Sequence, residues 1–331
     1  MKLNYINLNT TEPDFNLAAE QYVFDKLPKD RNYFMLWQNS NAIIIGKFQN
    51  TLSEINEKYV REDGIKVVRR LSGGGAVFHD LGNLNFTFIA DAGELENLNM
   101  KLFCEPIVET LKSIGVEAEI NGRNDITIDG KKFSGNSQYL RGGRIMHHGT
   151  IMFDSDLERV NDALNVDPEK IASKGMKSVH SRVTNIRPYI KTDMKLPEFR
   201  KILLSRIAAG ADSVEYVFSP EDIAEIEKIR GERYSTWEWN YGKSPECTLK
   251  KSRRFDGTGR IEAYISVENG LISDIAFMGD FFSKTDPEEL VPALKGKKPE
   301  PEEIRSALCS IDASQYFSKL ETNQLIALLA E

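Results

Sequence analysis

Residues 69–80 read Arg-Arg-Leu-Ser-Gly-Gly-Gly-Ala-Val-Phe-His-Asp, and they combine what an oxyanion site needs. Arg69 and Arg70 supply planar forks that match carboxylate or phosphate oxygens. Gly73, Gly74 and Gly75 leave the backbone bare, so main-chain N–H groups can approach a ligand closely. Val77-Phe78-His79-Asp80 then adds an imidazole and a carboxylate. Three glycines alone also fit a β turn beside solvated arginines. The arginine doublet and the His-Asp finish together favour an anion-binding loop. A second group follows at residues 123–135, where Arg123-Asn124-Asp125 ends a turn and Lys132 precedes Ser134-Gly135. Spacing alone leaves that lysine open between an inert surface charge and a functional one.

Neither group matches a standard nucleotide loop. A P-loop needs G-x-x-x-x-G-K-[ST] opening a helix, whereas an apolar β run follows these glycines. The dinucleotide fingerprint G-x-G-x-x-G before a helix is absent as well. Apolar runs at 66–68 and 84–89 make the first group a strand–loop–strand unit. The second group sits among short β runs at 126–128, 131–133, 137–140 and 147–153, with a break at Ser134-Gly135 and hairpin signals at Asp129-Gly130 and Gly142-Gly143.

The remaining pattern is mixed α and β. Residues 3–8 read as an edge strand, 16–27 as an amphipathic helix, and 33–37 and 42–45 as two strands joined by a polar turn. Helices are expected at 54–62, 100–114, 157–164, 197–209 and 220–229, and a strand at 116–120. Residues 173–185 are polar, basic and aperiodic, which suits a surface loop or a lid over an anionic ligand. From about residue 248 the pattern changes to a three-strand meander with Asp256-Gly257 and Asn269-Gly270 turns, then helices at 287–294, 302–308 and 321–329.

Composition bounds the rest. The 331 residues suffice for two cores, and 40% hydrophobic with 28% charged residues is ordinary for a globular chain. A net charge of −7 argues against nucleic-acid binding. The basic clusters at 131–132, 174–177 and 250–254 read as solvated faces. Cys104, Cys247 and Cys309 lie far apart without metal spacing, which suggests reduced thiols in the cytoplasm, with Cys104 in a helix core. The four histidines form no zinc motif. MKLNYINLNTTEP carries no apolar stretch of signal-peptide length, and no run is long enough to span a membrane.

Taken together, residues 69–80, 122–125 (Gly-Arg-Asn-Asp), 132–135 (Lys-Phe-Ser-Gly) and 147–150 (His-His-Gly-Thr) resemble the lipoate–protein ligases. The match extends to 178–185 (SVHSRVTN) and 235–242 (STWEWNYG), and so covers nearly the whole chain. The resemblance implies an α+β fold: a biotin-ligase-like catalytic domain of mixed and antiparallel sheets over residues 1–245, and a small α+β accessory domain over 246–331. It implies ATP-dependent activation of lipoate to lipoyl-AMP, then transfer to a lysine of an acceptor. The acceptors would be lipoyl domains of 2-oxoacid dehydrogenase E2 subunits or the glycine-cleavage H protein, with no nucleic-acid or membrane partner.

By the same resemblance, Arg70, Asn124 and the backbone of Gly75, Ala76, Val77 and Phe78 would hold ATP, with Phe78 near the adenine. Lys132 would be catalytic, reaching both the α-phosphate and the lipoyl carbonyl. Gly73, Gly74 and His79 would border lipoate, with Leu17 and Trp37 in its tunnel. Ser178 and Arg182 would belong to the loop over the adenylate, and Asp125 would carry Mg²⁺. Lys131, Arg141 and Arg144 would form a basic face for an acidic acceptor. The glycine loop departs from the Gly-Arg-Gly-Arg type of biotin ligases, and Asn165-Val166-Asp167-Pro168 lacks the Cys-Gly of one octanoyltransferase type. An octanoyltransferase or lipoyl-relay amidotransferase is therefore the alternative chemistry, and a non-catalytic lipoate-binding protein the alternative class.

Overall fold

The computed structural model describes residues 3–92, 100–122, 124–164, 183–209, 212–242 and 249–330. Its framework is a mixed sheet built from β1 (Leu3–Asn7), β2 (Asn32–Trp37), β6 (Asn83–Asp91), β7 (Glu119–Asn121), β8 (Asp125–Ile128), β9 (Lys131–Arg141), β10 (Arg144–Met152) and β11 (Ser213–Glu215). The order is β11-β1-β2-β6-β10-β9-β8-β7. The continuous apolar run of β2 explains its central place, since both of its faces are buried. Tyr33, Met35 and Trp37 pack with the helix Pro13–Lys26 on one face. Phe34 and Leu36 pack with the helices Met100–Ser113 and Leu196–Ala208 on the other.

A smaller sheet holds β3 (Ala42–Ile45), β4 (Lys66–Arg69) and β5 (Val77–His79) in the order β4-β3-β5. The strands expected at 33–37 and 42–45 therefore belong to different sheets, and so do the two flanks of the glycine loop. Both edges of β2 are already taken, by β1 and β6. The turn after it is pinned aside instead: Asn16 Nδ2 donates to Gln38 O at 2.7 Å and to Asn39 Oδ1 at 2.9 Å.

Three other expectations change. β1 is not an edge, because β11 pairs with it in parallel. The helix expected over 54–62 is two short ones, Thr51–Glu54 and Glu57–Glu62. No break occurs at Ser134-Gly135: β9 runs through Gly135, which pairs with Asp125, and the irregularity falls between Ile126 and Thr127.

After residues 243–248, where the expected division at 245/246 lies outside the described residues, β12 (Leu249–Phe255), β13 (Gly259–Glu268) and β14 (Leu271–Gly279) form the expected meander. Asn269 and Gly270 both take positive φ (52° and 79°), as a tight hairpin turn requires. Helices cover the sheet to make a separate core of Ile261, Ile265, Phe277, Leu308, Phe317 and Leu325. Phe48 joins that core, stacked on Phe281 with ring centroids 4.8 Å apart. Lys47 pairs with Asp286 at 2.7 Å beside it.

Arg69, expected at the ligand, is fully buried and holds the frame instead. Its guanidinium donates to the carbonyls of Gly46 (2.9 Å), Gln49 (2.6 Å) and Trp239 (2.8 Å) and to Thr51 Oγ1 (2.7 Å). Removing it would leave several buried carbonyls without donors. Arg69→Ala is expected to lose about 3 kcal/mol or more of stability, read as a lower urea midpoint at unchanged m.

Candidate active site

A cavity of about 1160 Å³ opens between the large sheet, the glycine loop and the C-terminal meander. Arg70 sets the loop's shape from inside. Its buried guanidinium donates to Ser72 Oγ (3.1 Å), Ile44 O (3.2 Å), Gly73 O (2.6 Å) and Gly75 O (3.0 Å). Burial lowers its pKa to about 10, so it keeps its charge at neutral pH. The glycines meet backbone rather than open space. A Cβ on Gly73 would stand 2.3 Å from Phe281 O, and Gly74 N–H donates to that same carbonyl at 3.2 Å.

Strand alternation then sorts the expected residues. Gly74, Gly75, Ala76, Val77 and His79 line the cavity. Phe78 points the other way, into the core of the small sheet beneath Arg159, 5.2 Å from ring centroid to guanidinium carbon. Its ring therefore does not line the cavity as expected, and Phe78 has only backbone to offer there. Gly73 does not line the cavity either, being packed on Phe281.

Lys132 enters from β9 with Nζ 2.7 Å from Asp125 Oδ1. A Cβ on Gly135 would lie 2.8 Å from that Nζ, so the glycine serves to let the lysine fold back along its own strand. Asn124 also lines the cavity, held by Nδ2 donating to Asn136 O at 2.8 Å. The Lys132 carbonyl accepts Thr184 N–H at 2.8 Å, which ties residues 183–185 to the lysine's strand. Ser178 and Arg182 lie outside the described residues.

Asp125 is nine-tenths buried beside Lys132 and does not line the cavity. Among the described residues no group of three or more His, Cys, Asp or Glu could cage a metal.

Leu17, Trp37, Ile44 and Val77 make the apolar end of the cavity. A buried polar chain runs behind them. Trp37 Nε1 donates to Thr87 Oγ1 (2.9 Å), and Thr87 Oγ1 donates to Glu20 Oε1 (2.7 Å). His148 Nδ1 meets that same oxygen at 2.8 Å, while its Nε2 lies 2.6 Å from Ser72 Oγ, the acceptor of Arg70 Nε. Sequence reasoning missed Glu20, Thr87 and any role for His148. The available signal was a carboxylate three residues after Leu17, on the apolar face of a helix.

His79 Nδ1 lies 3.1 Å from the Asn39 amide nitrogen, which places the proton on Nε2. That nitrogen has no hydrogen-bond partner among the described residues, and the ring borders the cavity. Burial pushes the imidazole down to about 3, so it stays neutral. His147 is likewise held near 3 by burial, stacked on Phe86 and Phe103. Cys104 lies 3.8 Å from His147 Nε2, and burial pushes its thiol up to about 12. A thiol so held is a core group and a poor nucleophile.

The basic face needs one correction. Lys131 is exposed and Arg141 pairs with Asp25, but Arg144 is buried. It donates to the carbonyls of Val23, Phe24 and Leu27 at 3.1, 2.7 and 3.0 Å, capping a helix end.

Known proteins resemble this chain in sequence and in fold. The family model described as lipoyl protein ligase A/B catalytic domain matches residues 12–208, and bacterial lipoate protein ligase C-terminus matches 244–329. Lipoate-protein ligase LplJ of Bacillus subtilis is 45% identical over 327 residues, 98% of each chain. The crystal structure of LipL1 of P. falciparum in complex with lipoate is 26% identical, with a TM-score of 0.79 covering 98% of this chain and 97% of that one. A lipoate-protein ligase A bound with ATP is 25% identical, with a TM-score of 0.64 over 73% of this chain and 99% of that one.

The two neutral histidines carry a pH signature. Each has a folded pKa of about 3 against an ordinary 6.5, so unfolding takes up protons below pH 6.5. Stability should be full above pH 6.5 and fall as the pH drops below it, because the unfolded histidines take up protons that the folded ones refuse. In His79→Gln that fall, measured by urea unfolding between pH 6.5 and 4, should be shallower than in the wild type.

Proposed function

This chain belongs to the lipoate–protein ligases, and from that premise we propose how its residues divide the work. The enzyme activates lipoate with ATP and passes the lipoyl group to a protein lysine. What carries the residue assignment is the joint lining of one cavity by Lys132, the Arg70-ordered glycine loop and an apolar end of lipoyl character. Lipoate would lie along Leu17, Trp37, Ile44 and Val77, with its carboxylate toward Lys132. The nucleotide would lie on Gly74, Gly75, Ala76, Asn124 and the backbone of Val77 and Phe78. His79 would offer its Nε2–H to an oxygen at the junction of the two ligands.

In the first half-reaction a lipoate oxygen bonds to the α-phosphorus, and pyrophosphate leaves with the electron pair of the broken P–O bond. Lys132 opposes the charge that builds on the α-phosphate oxygens. In the second, the amine of the acceptor lysine attacks the lipoyl carbonyl, AMP departs, and the amine's proton is released. The same ammonium then stands between the carbonyl oxygen and the departing phosphate. Asp125 holds that ammonium in place. Ser178 and Arg182 would close over the adenylate and limit its hydrolysis. Residues 1–245 are the catalytic part and 246–331 the accessory part.

The acceptor would be an E2 lipoyl domain or the glycine-cleavage H protein, and the cytoplasm the compartment. Among the described residues no helix is long and apolar enough to cross a membrane. Thiol-relay chemistry is disfavoured by the buried Cys104, whose proton is hard to remove.

Exchange of pyrophosphate into ATP, with and without lipoate, tests this reading. Wild type should show lipoate-dependent exchange, Cys104→Ser should retain it, and Lys132→Ala should lose about 10²-fold or more. Near-normal ligation by Lys132→Ala would sink its assignment. Lipoate-independent, thiol-dependent acyl transfer would sink the reading as a whole.

A further inference from the structure

The half-reactions above leave one wall of the cavity without a task. That wall belongs to the accessory part: Arg253, Arg254, Phe255, Gly257, Gly259 and Lys319 line it. β12 and β13 meet there through Asp256-Gly257-Thr258-Gly259, with positive φ at Gly257 (71°) and Gly259 (115°). A Cβ on Gly257 would stand 3.3 Å from Lys319 Cδ, so the lysine stem lies across the turn. Arg254 pairs with Asp280 at 3.4 Å, whose other oxygen accepts Arg260 N–H at 2.6 Å. This is a second glycine turn ringed by cations, facing the first across the cavity. The lining cations Arg253, Arg254 and Lys319 outnumber the lining carboxylates Asp256 and Asp280, three against two. The run 250–254, read from sequence as a solvated face, thus lies partly on the site.

A volume near 1160 Å³ exceeds the roughly 300–1,000 Å³ of a single small-ligand pocket. With the nucleoside and α-phosphate on the catalytic wall, the remaining phosphates carry most of the ligand's charge and need cations of their own. We propose that Arg253 and Lys319, with the 256–259 turn, bind the β- and γ-phosphates of ATP and the pyrophosphate they become. The proposal rests on the ligase reading of this cavity and gives its distal wall a role in activation. As the carboxylate oxygen bonds to the α-phosphorus, the electron pair of the breaking bond moves onto the pyrophosphate, and these cations lie where that charge collects. Transfer to the acceptor lysine involves no pyrophosphate and needs none of them.

The test uses the full chain carrying Arg253→Gln and Lys319→Gln, both exposed positions. It is assayed for lipoate-dependent exchange of labelled pyrophosphate into ATP, and for transfer from preformed lipoyl-adenylate to a lipoyl domain. The Michaelis constants for ATP and pyrophosphate should rise about tenfold, while that for lipoate and the transfer rate keep their wild-type values. Unchanged constants for ATP and pyrophosphate would overturn the subsite. Equal losses in both half-reactions would also overturn it, because they would mark general damage. Wild-type protein without lipoate-dependent exchange would instead overturn the ligase reading beneath it.

Discussion

The buried guanidinium of Arg70 is the interaction on which the site depends. A charge taken out of water must be repaid by well-placed acceptors. Here Ile44, Gly73, Gly75 and Ser72 supply them. In doing so they turn the carbonyls of the glycine loop inward, and the loop's conformation becomes a consequence of solvating one cation. The same Ser72 hydroxyl joins Arg70 to His148, Glu20, Thr87 and Trp37, so the anion loop and the apolar end are braced by one continuous polar chain. Isolated carboxylate and imidazole groups would be costly at that depth; linked, they satisfy one another.

The division of the chain between two sheets follows from edges. β2 has both neighbours already, so the chain leaves it and builds a second sheet. The cavity is the gap between them, with the accessory meander as the third side. Gly73 and Gly74 sit where all three meet, which is why their missing side chains matter for packing against Phe281 as much as for any ligand.

Much of this was legible in the sequence. The meander with its Asp-Gly and Asn-Gly turns follows local chemistry and was read residue by residue. The fold class came from the resemblance, and spacing alone left Lys132 open between a surface charge and a functional one. What failed was long-range. No local signal distinguishes Arg69 from Arg70, because their difference lies in which side of β4 faces carbonyls contributed by residues 46, 49 and 239. Arg144 looked like a surface charge until a helix end was found beside it. Phe78 and its neighbours differ only by strand parity, which is settled by where the next sheet lies. Glu20 and His148 were invisible because their partners are 67 and 76 residues away. The break expected at Ser134-Gly135 misread a glycine whose task is to make room for a side chain three residues earlier.

The contacts of Gly46 set a limit on how this enzyme can change. A Cβ there would stand 1.9 Å from Gly74 O, and one on Gly149 would stand 2.2 Å from Asn136 Oδ1. Gly46 is thus locked against the backbone of the glycine loop, and Gly149 against the side chains of Asn136 and Phe86, with no allowance for even a methyl group. Substitutions that the fold can absorb therefore fall at the apolar end of the cavity, where Leu17, Trp37 and Val77 present side chains rather than bare backbone. The cavity thus joins a glycine loop that admits no added side chain to an apolar end that is built from side chains, and only the second is free to drift.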